Sequence, residues 1–121
     1  SIEASGDEAE LSASLFQRFT ALIHDEQLYR DAMVDRDTVC QRLGIERHAL
    51  NELLNTYADG LSLPAYINNV RIDMAYELLR DEPQKSIADI ATAVGFTPQN
   101  LRLQFKRRFS ITPTEYRQGK E

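Results

Sequence analysis

The sequence predicts an all-α fold of seven helices, in which two short helix–glycine–helix units are joined by one long linker helix. Three observations carry this. The stretches VCQRLGIERHALNELL (39–54) and IATAVGFTPQNLRLQF (90–105) share one frame. Cys40, Leu43, Gly44, Ile45, Leu50 and Leu54 in the first occupy the offsets of Ala91, Val94, Gly95, Phe96, Leu101 and Phe105 in the second. A small residue four positions before the glycine lets two helices approach. The glycine takes a backbone angle that a Cβ makes costly, and the apolar residue six positions on anchors the second helix. That is the helix-turn-helix frame. Between the two copies runs a helical apolar stripe of Tyr66, Ile67, Val70, Met74, Leu78 and Leu79. No stretch reads as a strand of any length.

The elements follow in order. Residues 1–10 are polar and acidic without apolar periodicity, so they read as a linker or an expression remnant. Residues 11–33 form a leading helix and its connection, with Leu15, Phe16, Phe19, Leu22 and Ile23 at helical spacing to about residue 28. Residues 34–60 form the first helix-turn-helix: Asp35 and Asp37 precede a short helix of about 37–43, and a second helix of about 47–58 stops near Gly60. The linker helix occupies 61–84, with Ser62 as its cap, Pro64 in its first turn and Pro83 at its end. The second helix-turn-helix and a C-terminal helix fill 85–121. Ser86 and Asp89 suggest a capping box, Thr97-Pro98 opens the second helix of this unit, and Thr112-Pro113-Thr114-Glu115 opens the last helix.

At 121 residues and 42% hydrophobic content, the chain suits one compact domain or two small ones sharing a core. No apolar run approaches the ~20 residues of a membrane span, and there is no secretory signal pattern. Cys40 is the single cysteine, which fits a reducing compartment and a buried structural thiol. The net charge of −5 is unevenly spread: residues 1–84 carry 7 basic against 16 acidic side chains, residues 85–121 carry 7 basic against 3 acidic. A phosphate backbone would be held by the C-terminal third.

The strings SIADIATAVGF and FKRRFSITPTEYR (105–117) closely resemble the signature of AraC/XylS-type transcription regulators. LSLPAYINNVRIDMAYELL (61–79) resembles that family's linker-helix segment, and the resemblance spans roughly residues 34–118. It implies a DNA-binding output domain, cytoplasmic, whose two recognition helices enter successive major grooves about one helical turn, roughly 34 Å, apart. Residues 15–45 are similar to the lead-in of such domains at the ends of large bacterial sensor-regulators, which implies a sensor region outside these residues.

In such a unit the exposed N-terminal face of the recognition helix meets base edges. For the first unit this points to Arg47, His48, Asn51 and Glu52, with Asn55 beyond them. The family's base-reading positions fall on His48, Asn51 and Glu52. Asn suits adenine, Arg guanine and Glu cytosine. The lysines that often follow in the family are replaced by Asn55 and Thr56, so this reader has less cationic support. For the second unit, Gln99, Asn100, Arg102 and Leu103 point to bases and Lys106 and Arg107 to phosphates. Leu103 and Gln104 stand in exchanged order relative to the family, so either a leucine packs on thymine methyls or the helix is rotated to bury it. Arg71 is expected in an ion pair with Asp73, Glu77 or a residue across an interface. Tyr66, Tyr116, Phe105 and Phe109 are expected in the core.

The leading function is sequence-specific double-stranded DNA binding at a promoter or operator, by a monomer, with RNA polymerase as a further candidate partner. The alternative is an AraC-type fold with weakened DNA binding that serves as a protein-interaction module, motivated by the acidic segment around the first reader. No Ser/His/Asp arrangement, phosphate loop or metal-ligand spacing is present, so no enzyme, cofactor or metal is expected.

Overall fold

The computed structural model describes residues 2–119, with side chains from residue 7 onward. Ser1 of the expected linker, and Lys120 and Glu121 at the end of the expected C-terminal segment, lie outside it. Among the described residues seven α-helices follow in order: α1 (Ile2–Thr20), α2 (Arg36–Leu43), α3 (Arg47–Tyr57), α4 (Leu63–Asp81), α5 (Ile87–Ala93), α6 (Pro98–Phe109) and α7 (Pro113–Arg117). No strand occurs among the described residues.

The leading segment differs from the expectation at both ends. Helix α1 begins at Ile2 rather than Leu11, so the acidic stretch expected as linker is helical from residue 2. Apolar periodicity marks only where a helix packs. Glu8, Ala9 and Glu10 are good helix formers without it. At the other end the α-helix stops at Thr20, and a wider π turn covers Ala21–Asp25 before a single tight 3-10 turn at Leu28–Arg30. The π turn keeps Leu22 and Ile23 buried, as the apolar spacing requires.

The chain divides into two compact units. One holds the residues up to Leu28 together with Met33–Tyr66; the other holds Tyr29–Ala32 together with the chain from Ile67 onward. In the first unit α1 packs on α2 and α3, and Phe19, Ile23, Val39 and Leu50 are fully buried. Each such side chain contributes roughly 1.5–3 kcal/mol by leaving water. Phe16 stacks on Tyr57 and Phe19 lies against Tyr66. In the second unit α6 packs on α5 and α7, with Ile90, Val94, Leu101 and Phe105 fully buried. Phe105, Phe109, Tyr76 and Tyr116 form a continuous aromatic cluster there. Phe105 is wholly enclosed, whereas Tyr66, Phe109 and Tyr116 are only half-buried, a partial departure from their expected place in the core.

The helix starts follow the capping chemistry of the sequence. Asp35 accepts from the Thr38 backbone N–H, Ser62 from Ala65, Ser86 from Asp89, Thr97 from Asn100 and Thr112 from Glu115. The reciprocal capping box forms at Thr112–Glu115, where the Glu115 carboxylate also accepts from the Thr112 N–H.

Arg71 departs from the expected ion pair. Its guanidinium is buried and donates to two backbone carbonyls, those of Tyr29 and Asp31, while lying over the Phe96 ring. Desolvation lowers its pKa, partly offset by the Asp31 charge. Asp73, one of the expected partners, pairs instead with Arg108 at 2.9 Å.

Candidate nucleic-acid interface

Both helix–turn–helix junctions close with one hydrogen-bond pattern. The Ile45 N–H donates to the Cys40 carbonyl at 3.0 Å, and the Phe96 N–H donates to the Ala91 carbonyl at 2.9 Å. The small residue, the glycine and the following apolar residue thus build a six-residue closure that fixes where the second helix starts. Gly44 and Gly95 carry φ of 70° and 91°. Each first helix also receives an arginine on its terminal carbonyls, Arg18 on Leu43 and Arg30 on Ala93, at the negative end of the helix dipole. Cys40 is buried, and burial pushes its thiol pKa up.

In the first unit the junction leaves Leu50, Leu53 and Leu54 inward on α3, and Arg47, His48, Asn51, Glu52 and Asn55 exposed. The exposed row is the expected one, but carboxylates lie against it and against the neighbouring α2. The Arg47 guanidinium donates to Asp37 at 2.8 Å and 3.2 Å. His48 Nδ1 lies 3.4 Å from Glu46. Arg42 pairs with Glu26. The carboxylates beside this helix therefore oppose a phosphate backbone, in keeping with the acidic balance of the segment.

In the second unit α6 turns Leu101 and Phe105 inward. Gln99, Arg102, Leu103, Lys106 and Arg107 are exposed, and with Thr112 they line an open depression of about 580 Å³. Asn100 differs from its neighbours. It is half-buried, its backbone N–H serves the Thr97 cap, and its side-chain oxygen accepts from Gln104 Nε2 at 3.4 Å. Leu103 is 49% exposed, so the rotation that would bury it has not occurred.

The basic character of the C-terminal third resolves into two groups. Lys85 lies 3.4 Å from Glu82, Arg108 pairs with Asp73, and Arg117 donates to the carbonyls of Lys85 and Glu82. These hold the fold. Arg102, Lys106 and Arg107 make no ion pair among the described residues and share one helix face. Thr112 on the rim and Asp37 against Arg47 were not legible in the sequence, because their neighbours come from other elements.

Residues 39–119 match the family model described as helix-turn-helix domain. The HTH-type transcriptional regulator ExsA of Pseudomonas aeruginosa is 35% identical across 66% of this chain and 35% of its own length. The HTH-type transcriptional activator RhaS of Enterobacter sp. is 34% identical across 73% of this chain and 31% of its own. The chain thus spans about a third of the length of these curated relatives. Among solved structures, an AraC-type transcriptional regulator from Chromobacterium violaceum shares the fold with a TM-score of 0.76 at 24% identity, over 90% of this chain and 94% of that one. The DNA-binding domain of AdpA, solved in complex with a target DNA, shares it with a TM-score of 0.69 at 23% identity, over 89% and 90%.

Proposed function

The chain belongs to the AraC-type helix-turn-helix family of transcription regulators, and from that premise we propose that it is the DNA-reading output domain of such a regulator. The observation that carries the reading is the exposed face of α6, where Arg102, Lys106 and Arg107 stand unpaired among the described residues beside Gln99 and Leu103. Lys106 and Arg107 hold phosphates, while Gln99, Arg102 and Leu103 meet base edges in the major groove. Asn100 contributes through the cap and through its bond to Gln104. The first unit adds a second, weaker reader built from Arg47, His48, Asn51 and Glu52, so the full site is bipartite.

Under this reading the isolated chain is a monomer without catalytic chemistry and acts on double-stranded promoter or operator DNA in the cytoplasm. The input signal enters through a sensor region outside these residues, and RNA polymerase is the partner at the promoter. A second reading, an interaction module with weakened DNA binding, is favoured by one observation: the carboxylates of Asp37 and Glu46 against Arg47 and His48.

Selection of bound duplexes from a random pool, with affinity titrated against salt, separates the two. A DNA reader enriches a motif and loses affinity with a slope set by the phosphates it neutralises. No enrichment at low salt would leave the interaction module. In a reader, Asn51→Ala costs ~1–3 kcal/mol on the best site and relaxes one base preference. Lys106→Ala weakens all sequences alike and lowers the salt slope by roughly one.

A further inference from the structure

An exposed leucine on the face of α6 is unexplained by the core. Helix α6 buries Leu101 and Phe105, and Leu103 points away from both. Gln99, Leu103 and Arg107 are spaced by four residues and form one exposed row, with Arg102 and Lys106 beside it. Leu103 thus sits in a polar and cationic surround, lining the open depression together with Gln99, Arg102, Lys106, Arg107 and Thr112. Such a surround selects an anionic partner with an apolar group within it. In the DNA major groove the apolar group a base pair presents is the 5-methyl of thymine. The same edge offers a hydrogen-bond pair to an amide side chain at adenine.

We infer that Leu103 is a specificity-determining residue of the second reader: it packs against the 5-methyl group of one thymine, while Gln99, one turn earlier, takes an adjacent adenine. This rests on the DNA-reading function proposed above and adds the base it selects. The cations fix the phosphates on either side, so the leucine meets the groove floor at one register rather than sliding along it.

The test uses the best duplex selected by this chain and replaces each thymine singly with deoxyuridine, which removes only the methyl group. Wild type should lose about fourfold in affinity at one thymine, the effect of withdrawing one buried methyl. Leu103→Ala should bind the thymine and uracil duplexes equally, with an unchanged melting temperature because the side chain is exposed. If binding is sequence-specific but no thymine is sensitive, or sensitivity persists in Leu103→Ala, the inference fails and the DNA-reading function stands. If no sequence is selected, both fail together.

Discussion

The Nε of Arg71 donates to the backbone carbonyl of Tyr29 at 2.7 Å, and its Nη2 reaches the carbonyl of Asp31 at 2.9 Å. One guanidinium in the linker helix thus pins the segment Tyr29–Ala32, which belongs to the second unit although its flanking residues belong to the first. Lysine keeps the charge but cannot span two carbonyls or place a planar guanidinium over Phe96. Arg71→Lys should therefore cost about 2–4 kcal/mol in urea unfolding and speed hydrogen exchange around residues 29–32. A loss below about 1 kcal/mol would mean that the carbonyls find other donors.

Gly44 and Gly95 occupy matching places in the two turns but should tolerate alanine differently. A Cβ at Gly44 meets nothing within 4 Å, so only its positive φ is penalised, at about 1–2 kcal/mol. A Cβ at Gly95 would meet the Tyr29 carbonyl at 2.6 Å and Arg71 Nε at 2.9 Å. Gly95→Ala should cost about 3 kcal/mol or more. Equal losses in parallel denaturation would show that the Tyr29 segment yields without cost.

Asp35 caps α2 through the Thr38 backbone N–H, and accepts from the Thr38 hydroxyl as well. In that order, these bonds lower its carboxyl pKa below the ordinary aspartate value. A group depressed in the folded state contributes stability above the unfolded pKa and loses it as pH falls through the folded value. Melting temperature should thus fall below about pH 4 partly through this residue. Asp35→Asn, which keeps a neutral acceptor, should flatten that acid limb. An unchanged limb would assign the acid sensitivity elsewhere.

Asp37 engages Arg47 at an exposed pair, with 68% and 65% of the side chains accessible. Such pairs add little to stability, so Asp37→Asn should melt nearly like wild type. It also releases a cation onto the first recognition helix. Affinity for the selected duplex should rise several-fold at low salt, with a salt slope steeper by about one. Unaltered DNA binding alongside an unaltered fold would argue that the first unit stays off the phosphate backbone.

The sequence by itself determined what local chemistry controls. Cap residues such as Thr97 and Thr112 set helix starts through side chains three positions from their donors, and the Cys40–Gly44 and Ala91–Gly95 spacings set both turns. The apolar period sorted Leu101 and Phe105 inward and Lys106 and Arg107 outward, because a 3.6-residue repeat assigns a face without knowledge of the neighbour. The start of α1 escaped that pattern, since an acidic, polar stretch can be helical with no apolar stripe to betray it. Only the tertiary structure decided the charge partners. Arg71 went to carbonyls rather than carboxylates, Asp73 went to Arg108, and Asp37 took Arg47 from ten residues away. A charged side chain is long, and any of several opposite groups would satisfy it. Which one does depends on where other helices bring their atoms, and that is fixed by packing, not by spacing along the chain.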